Sequence, residues 1–304
     1  MKINAASLNP VDLHIAAGRF FDGPPQVPYV PGLEGVGVVE RSTSLAPGTR
    51  VRVAIIHPGY GRDGALAEYV FIPEKPDAAS QAQLSVIKGA LGDIAIAAIG
   101  GPGSTALSLL DRVRQVGSTV EGATVLVMAA TGAVGTLAVQ IAKRLGAVRV
   151  IAAGRDRSRL EPLAELGADA LVRLGDDEEA LRRSLVEASD GRLDVVLEPL
   201  WGMPARAAVH ALRTDGVLIN FGGVAAFETP MSAQPLRNKR VRPAGHSGAW
   251  TTRAQRITTF RRLLDMAEDA PLALPVQEVS IDDVPTAWPR VAAGAGGKFV
   301  VRMS

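Results

Sequence analysis

The sequence predicts an α/β protein organised around a doubly wound parallel sheet, and two observations support this prediction. The first is a stretch from 123 to 155 that is typical of a strand, a tight turn, a helix and a second strand. The second is the alternation of helical and short apolar segments from 158 to 223, which is typical of repeated βαβ units. Short apolar runs such as Thr124–Met128 are typical of strands buried on both faces of a sheet.

The turn after Thr124–Met128 has small residues in a G-x-G-x-x-G pattern. Ala130, Gly132 and Gly135 occupy the three glycine positions, with alanine at the first. Gly132 would let backbone N–H groups approach a pyrophosphate, and Gly135 would let the helix pack closely on the strand. The helix predicted to begin near Ala133 would direct its positive end at the phosphates. The residues predicted to line the pyrophosphate are Gly132, Ala133 and Val134, with Thr131 near it.

The residues after the second strand, predicted at 148–153, indicate which dinucleotide binds. A carboxylate there would accept hydrogen bonds from a ribose 2′-hydroxyl, whereas a guanidinium would bind a 2′-phosphate. Gly154 and Arg155 form the tip and are predicted to meet the adenosine ribose, with Arg159 close behind. We therefore favour NADP(H) over NAD(H). Asp156 is the counter-observation, because the preference would invert if it, and not Gly154, occupied the ribose position.

The following βαβ units predict further strands and a second part of the cofactor site. Helices are predicted at 158–166, 177–188 and 204–212, and strands at 170–174, 193–197 and 217–221. The last strand ends in Phe221, Gly222 and Gly223, which are predicted to approach the nicotinamide half, because ligands of such sheets bind at strand carboxyl ends. The alternative is that Gly222-Gly223 is only a turn.

The two chain ends predict a second domain. The N-terminal part is typical of a small β-barrel of short strands at 2–7, 32–40, 50–56 and 64–72, with a short helix or turn at 11–17. A helical pattern from about Gln81 connects it to the central stretch through 95–99, a Gly100-Gly101-Pro102-Gly103 turn and 105–116. A basic amphipathic helix at 251–268 and a strand at 297–302 end the chain. The predicted domains are 1–93, 94–242 and 243–304, the last returning to the first.

Composition excludes several function classes. The 33 basic and 31 acidic residues are spread along the 304-residue chain, without the clustered basic charge of nucleic-acid-binding proteins. The chain has no cysteine, which excludes disulfides, a thiolate nucleophile and cysteine-ligated zinc. The sequence shows no signal peptide and no apolar run of about 18 residues, so we expect a cytoplasmic protein that does not bind membranes.

Several segments together carry a family resemblance. They are NAASLNPVDLHIAAG (4–18), PYVPGLEGVGVVE (28–40), APGTRV (46–51), GALAEYV (64–70), GSTAL (103–107), AATGAVGTLAVQIAKRLGA (129–147), ELGAD (165–169) and GKFVV (297–301). With these segments the chain resembles the medium-chain dehydrogenase/reductases and, among them, the zinc-independent quinone oxidoreductases. The resemblance implies a GroES-like barrel domain built from both chain ends, a Rossmann domain between them, and a homodimer formed through edge strands of the Rossmann sheet.

Two departures from the family pattern are informative. Asn9 and Leu33 stand where zinc-dependent relatives have a cysteine and a histidine ligand, and His14 alone holds no metal, so we expect no catalytic metal. Relatives also carry roughly two dozen residues before the first matching segment, which form the first hairpin of the GroES-like domain. Without this hairpin the barrel would have an open edge. Two alternatives stay open: the sequence starts downstream of the natural start, or the domain is remodelled and another segment or a neighbouring subunit covers the edge.

The resemblance implies a reductase that works by placement. A hydride donor must lie close to an electrophilic carbon, with a hydrogen-bond donor near the oxygen that gains charge. Quinones and α,β-unsaturated carbonyls suit this scheme, because conjugation carries the charge away from the attacked carbon. Asn9 is the first candidate for this donor, Asp12 and Tyr60 are weaker candidates, and Phe20 lies where the family has an aromatic residue lining the cleft. Their alternative roles are a turn residue for Asn9, a cap for Asp12 and a loop residue for Tyr60.

Two other functions stay open. An enoyl-thioester reductase would need a basic entrance, for which the candidates are Arg237, Lys239, Arg240 and Arg242. A chain that kept the nucleotide site but lost part of its catalytic domain would be a non-catalytic NADPH-binding sensor or a structural protein.

Overall fold

A computed structural model describes residues 1–20, 23–55, 58–73, 83–248, 251–294 and 297–303. The chain divides into two compact units, one made of Met1–Gly101 with Thr252–Ser304 and one made of Pro102–Thr251. Both chain ends therefore belong to the first unit, and the second unit is the uninterrupted central part.

The described strands and helices follow in chain order. The strands are β1 (Lys2–Ser7), β2 (Glu34–Val38), β3 (Arg50–Ala54), β4 (Gln83–Val86), β5 (Thr124–Met128), β6 (Arg149–Gly154), β7 (Ala170–Arg173), β8 (Leu193–Glu198), β9 (Leu212–Asn220), β10 (Arg242–Gly245), β11 (Val276–Ser280) and β12 (Lys298–Arg302). The helices are α1 (Pro10–Ala16), α2 (Asp93–Gln115), α3 (Ala133–Arg144), α4 (Arg157–Leu160), α5 (Glu178–Ala188), α6 (Gly202–Ala211), α7 (Ala233–Asn238), α8 (Arg253–Asp269) and α9 (Val284–Ala292).

The central unit contains the predicted doubly wound sheet. Its six strands lie in the order β10-β9-β8-β5-β6-β7, and every pair is parallel. The strand order reverses between β5 and β8, and ligands of such sheets bind outside the strand carboxyl ends at this point. β5 and β8 are buried along their whole length, as strands covered on both faces must be.

The first unit contains a second six-stranded sheet, in the order β11-β12-β1-β2-β3-β4. β1 pairs antiparallel with β12 on one side and with β2 on the other, so the two chain ends share one sheet. Its core is apolar and includes Ile3, Val53 and Phe299. The predicted α/β fold, with a parallel Rossmann-type sheet and a second domain built from both chain ends, is therefore confirmed.

The predicted turn at Gly100-Gly101-Pro102-Gly103 is wrong, because these residues lie inside the 23-residue helix α2. A Cβ at Gly100 would lie 2.1 Å from Glu34 Oε1, and one at Gly101 would lie 2.6 Å from Glu34 Oε2. The glycines therefore allow a buried carboxylate to lie against the helix. Burial of the apolar face of α2, which includes Ile96, Leu107 and Leu110, overrides the low helix propensity of Gly and Pro.

Three other local predictions are also wrong. The predicted strand at 64–72 is irregular and makes a single isolated bridge, Tyr69 with Lys2, because Gly64 and Leu66 instead bond to the carbonyls of Val30 and Pro31. The helical pattern predicted from Gln81, which itself lies outside the described residues, begins in fact with strand β4. The helix predicted at 158–166 is only α4 followed by one 3-10 turn, Glu161–Leu163. Ile56, predicted at the end of a strand, also lies outside the described residues.

One helix, α2, is long and apolar enough to cross a membrane by length and composition alone. In this structure 61% of its most apolar window is buried inside the protein, and the core helix of a folded domain passes the same test.

Candidate functional site

The turn between β5 and α3 has the geometry of an anion-binding site, and we call its residues 131–134 the anion cradle. Gly132 is the N-cap of α3, no side chain caps the helix, and no acidic residue lies in its first turn. A Cβ at Gly132 would have its nearest neighbour 3.5 Å away, at Ala129 O, so the glycine borders open space. Ala133 and Val134 in the first turn are half-buried, and so is Thr131 before it. Helix N–H groups without a side-chain acceptor, beside a glycine that leaves room, fit a dinucleotide pyrophosphate.

Gly135 has a different role from Gly132. A Cβ at Gly135 would lie 2.6 Å from Ala129 O and 2.6 Å from Ala130 Cα, both backbone atoms. Ala130 is fully buried, and its N–H donates to Ala153 O at 2.9 Å. The third position of the fingerprint therefore needs glycine for close packing of helix on strand, which agrees with its predicted role.

Three guanidinium groups belong to residues at the carboxyl ends of β6 and β7. Arg155 is exposed and directly follows Gly154, the last residue of β6. Arg159 Nη2 donates to Thr131 O at 3.2 Å, which ties this region to the anion cradle. Arg173 ends β7 beside Gly154, and its Nε donates to Arg155 O at 3.4 Å. Arg173 was not predicted, because only the pairing of β6 with β7 brings it to this edge.

The carboxylate of Asp156 has local partners. Its Oδ1 accepts from the Ser158 N–H at 2.9 Å and from Ser158 Oγ at 2.7 Å, which makes it the N-cap of α4. The Ser158 hydrogen bonds hold the pKa of this carboxyl below its ordinary value. Asp156 thus has a capping role that does not require a ribose.

Two loops, one after the carboxyl end of β8 and one after the carboxyl end of β9, are joined to each other by hydrogen bonds. Phe221, Gly222 and Gly223 follow β9 and are half-buried. A Cβ at Gly222 would lie 2.7 Å from Pro199 O, and the Val224 N–H donates to that oxygen at 3.1 Å. Gly222 is therefore required for the close approach of two loops, which goes beyond the simple turn considered above.

Glu198, the last residue of β8, lies between these loops and was not predicted. It is fully buried, and its Oε1 accepts from the N–H groups of Leu200 at 2.7 Å and Trp201 at 2.8 Å. Asn220 Nδ2 donates to Glu198 Oε2 at 2.9 Å and to Gly222 O at 2.7 Å. Burial raises the pKa of Glu198, and the hydrogen bonds from Asn220 and the two N–H groups oppose this rise. An acidic residue that closes the apolar run Val195–Leu197 was the available sequence signal.

Trp201 has a strained backbone, with φ +59° and ψ −166°. This region is populated almost only by glycine, and a strained residue of this kind costs about 1–3 kcal/mol. Such strain persists where surrounding contacts fix the conformation, and it concentrates at functional sites.

Asn9 and Asp12 lie in a buried polar cluster of the first unit. Asp12 is 1% exposed and accepts from the N–H groups of Asn9 at 2.8 Å and Leu33 at 3.0 Å. Lys298 is also buried, and its Nζ donates to Leu8 O at 2.9 Å and to Asn9 Oδ1. Asn9 Nδ2 donates to Ser7 Oγ at 3.1 Å. Burial raises the pKa of Asp12 to about 6 and lowers the pKa of Lys298 to about 8, while the attraction between the two charges opposes both shifts.

Phe20 and Tyr60 lie together, with ring centroids 6.4 Å apart, and Tyr60 Oη donates to Gly23 O at 2.5 Å.

Tyr29 was not predicted as a site residue. Its hydroxyl oxygen is buried and has no hydrogen-bond partner among the described residues. Burial raises the pKa of this hydroxyl, and the nearby Asp12 and Tyr60 add to the rise. A tyrosine between two prolines in PYVP was the available signal.

Within the described ranges, no group of three or more His, Cys, Asp or Glu side chains is arranged to hold a metal ion. Leu33 stands in this region as an apolar residue whose N–H bonds to Asp12. The predicted absence of a catalytic metal stays a prediction.

Comparison with known proteins agrees with this architecture. Residues 1–79 match the family model for the alcohol dehydrogenase GroES-like domain, and residues 133–269 match the model for zinc-binding dehydrogenases. The chain belongs to the medium-chain dehydrogenase/reductase superfamily of oxidoreductases.

Individual relatives cover nearly all of the chain. It is 26% identical to 2-methylene-furan-3-one reductase of Solanum lycopersicum, over 99% of this chain and 70% of that protein. It is 28% identical to the chloroplastic quinone-oxidoreductase homolog of Spinacia oleracea, over 99% of this chain and 88% of that protein. The yhdH oxidoreductase of Salmonella enterica, solved in complex with NADP, superposes with a TM-score of 0.79 over 100% of this chain and 90% of that one, at 20% identity, which shows a shared fold.

Proposed function

We propose that the chain is an NADPH-dependent reductase that acts on a quinone or an α,β-unsaturated carbonyl compound. The observation that carries this proposal is the anion cradle at the N-terminus of α3 together with the guanidinium groups of Arg155, Arg159 and Arg173. A pyrophosphate fits the cradle, and a ribose 2′-phosphate fits the guanidinium groups better than a 2′-hydroxyl does.

NADPH, when bound, supplies a hydride to the electrophilic carbon of the acceptor. The chain's own residues bind and orient. Gly132, Ala133 and Val134 hold the phosphates, and Phe221, Gly222 and Gly223 receive the nicotinamide half. In the first unit, the ammonium of Lys298 donates to the Asn9 amide oxygen and polarises it, which strengthens the Asn9 Nδ2 group as a donor. Solvent protonates the product, and no side chain is assigned as general acid.

Two relatives support this choice of substrate. The Solanum lycopersicum relative is named for the reduction of 2-methylene-furan-3-one, which is an α,β-unsaturated ketone. The Spinacia oleracea relative is named as a quinone-oxidoreductase homolog. Both acceptors are conjugated, so charge that develops on reduction is delocalised to oxygen.

The first test is nucleotide preference. NADPH and NADH are titrated into the nucleotide-free protein and into the Arg155→Ala variant. We expect NADPH to bind at least tenfold tighter and the substitution to remove about 1.4 kcal/mol or more of this preference. Arg157→Ala is the matched control, since Arg157 is two residues after Arg155 and forms an exposed ion pair with Glu161. Equal affinity for the two nucleotides would contradict the NADPH assignment.

The second test is turnover. NADPH oxidation is followed with a small quinone, an enone and an enoyl-CoA, with and without a metal chelator. We expect turnover with the quinone or the enone and no effect of the chelator. Turnover with the enoyl-CoA alone would favour the enoyl-thioester reductase, and NADPH binding without any turnover would favour a sensor or a structural protein.

The basic residues considered for a thioester entrance have structural partners. Lys239 Nζ donates to His210 O at 2.7 Å, Arg240 pairs with Asp215 at 2.5 Å, and Arg242 Nη1 donates to Val116 O at 2.6 Å. The fourth, Arg237, donates from Nε to Asn238 Oδ1 at 3.4 Å, so no contact in this cluster favours the thioester substrate.

The quaternary structure is part of the proposal. Among the described strands β10 pairs only with β9, so it lies at an edge of the sheet of the second unit. The family resemblance implies dimerisation through edge strands of this sheet. A homodimer through this edge predicts a particle of twice the 31.7 kDa chain mass in light scattering.

A further inference from the structure

The loops at the carboxyl ends of β8 and β9 form one hydrogen-bonded unit, which we call the β8/β9 clamp and define as residues 198–202 and 220–226. Besides the bonds made by Glu198 and Asn220, the Phe221 N–H donates to Glu198 O at 3.0 Å, and the Ala225 N–H donates to Leu200 O at 2.8 Å. These hydrogen bonds couple the two loops, so a displacement of one loop requires a displacement of the other.

Glu198 is the centre of this clamp. Its two carboxylate oxygens receive three hydrogen bonds, two from backbone N–H groups and one from Asn220. One of those N–H groups belongs to Trp201, whose φ of +59° no ordinary loop would maintain without support. The clamp also lies at the end of β8, beside the point where the strand order of the sheet reverses.

We propose that Glu198, supported by Asn220, is the positioning residue for the nicotinamide half of the cofactor. It fixes the strained loop after β8 against the glycine loop after β9, so that the surface receiving the nicotinamide ribose and ring is formed before the cofactor arrives. This inference rests on the proposed function. It adds that two separate parts of the site bind the cofactor. The anion cradle and the arginines bind the adenosine half, and the clamp acts only on the nicotinamide half.

The experiment separates these halves with two ligands, NADPH and adenosine 2′,5′-bisphosphate, which lacks the nicotinamide nucleotide. Both are titrated into wild type and into Glu198→Gln. The glutamine keeps the size of the side chain but replaces one acceptor oxygen by a donor NH₂. The Leu200 and Trp201 N–H groups hold the remaining oxygen, so the new NH₂ faces the Asn220 Nδ2 donor. Turning the Asn220 amide over would relieve this contact but would set its oxygen against Gly222 O, which Nδ2 binds in the native structure. We expect NADPH to bind about tenfold or more weakly while the affinity for adenosine 2′,5′-bisphosphate changes less than about twofold.

Asp194→Asn is the matched control. Asp194 is a second buried carboxylate on β8, it accepts from the Thr124 N–H at 2.8 Å and from Arg213, and it lies toward the opposite end of the strand. The same exchange of oxygen for NH₂ there perturbs the fold without reaching the clamp. We expect the ratio of the two affinities to stay at its wild-type value in this variant.

A second measurement uses the unmodified protein, so the inference stays testable if Glu198→Gln does not fold. Hydrogen–deuterium exchange at the Leu200 and Trp201 amides is expected to slow with NADPH and to be unchanged with adenosine 2′,5′-bisphosphate. An unchanged affinity ratio in folded Glu198→Gln, the same loss in Asp194→Asn, or exchange that responds equally to both ligands would overturn the inference alone. Wild type that binds neither ligand would instead overturn the proposed function.

Discussion

Alanine substitutions at Gly132 and Gly135 are expected to have opposite effects, although the two glycines lie three residues apart in one turn. At Gly135 the new Cβ would lie 2.6 Å from two backbone atoms, Ala129 O and Ala130 Cα. Backbone atoms in a buried strand connection cannot rotate away as a side-chain tip can, so helix α3 must shift. Overpacking of this kind costs about 1–3 kcal/mol.

At Gly132 the structure predicts no such cost. Its φ is −84°, which alanine adopts freely, and the nearest atom to a new Cβ is 3.5 Å away. Replacing a glycine by alanine at a compatible position stabilises a protein by about 0.4–1 kcal/mol, because the unfolded chain loses freedom. The new methyl would, however, occupy the space in which the pyrophosphate approaches the N–H groups.

The assay combines chemical denaturation with NADPH titration for both variants. Gly135→Ala is expected to lower the free energy of unfolding by about 1–3 kcal/mol. Gly132→Ala is expected to unfold like wild type or slightly later, and to bind NADPH at least about tenfold more weakly. A Gly135→Ala variant as stable as wild type would refute the packing argument. A Gly132→Ala variant with wild-type NADPH affinity would refute the anion cradle.

Three further predictions follow from single contacts. Asp156→Ala removes the cap of α4 and should slightly lower the midpoint of chemical denaturation while leaving the preference for NADPH over NADH intact. A changed preference in nucleotide titrations would place this carboxylate at the ribose. Burial raises the pKa of Asp12 from 3.8 to about 6, so the folded state binds the carboxyl proton of Asp12 more tightly than the unfolded state does. The contribution of this proton to the free energy of unfolding is complete below about pH 4 and is lost as the pH rises through about 6. Asp12→Asn should therefore abolish a fall on the order of 2–3 kcal/mol in the free energy of unfolding over this range, measured by denaturation at each pH, and an unchanged slope would assign the titration to other groups. Gly100→Ala should destabilise by about 1–3 kcal/mol, since the Cβ would lie 2.1 Å from Glu34 Oε1 and this carboxylate is buried and held by Arg52. A rise in melting temperature from the better helix propensity of alanine would contradict this.

The sequence by itself determined the central βαβ unit and its glycine turn. β5 and β6 lie within one residue of their predicted bounds, and α3 begins at the predicted residue, Ala133. These elements are specified locally, because an apolar strand, a glycine fingerprint and a helical repeat each depend on neighbours a few residues away. The same local patterns, read together along the chain, also indicated the superfamily.

Only the tertiary structure decided the features that depend on residues remote in the chain. Gly100 and Gly101 have no room for a side chain because Glu34, far earlier in the sequence, packs on them. The amide of Asn9 is held by Lys298, 289 residues away, which no local pattern encodes. Burial of polar groups forces such partners to be found wherever the fold brings them, since an unpaired buried polar group is costly.

The candidate site follows the same division. Gly132 and Gly135 could be predicted because their role follows from their place in one turn, whereas Arg173 meets the Arg155 backbone only through the pairing of β7 with β6. Glu198 and Asn220 are 22 residues apart and meet because β8 and β9 are adjacent and parallel. Sequence thus determined the elements and the glycine turn, and strand register determined which polar side chains share the carboxyl edge of the sheet.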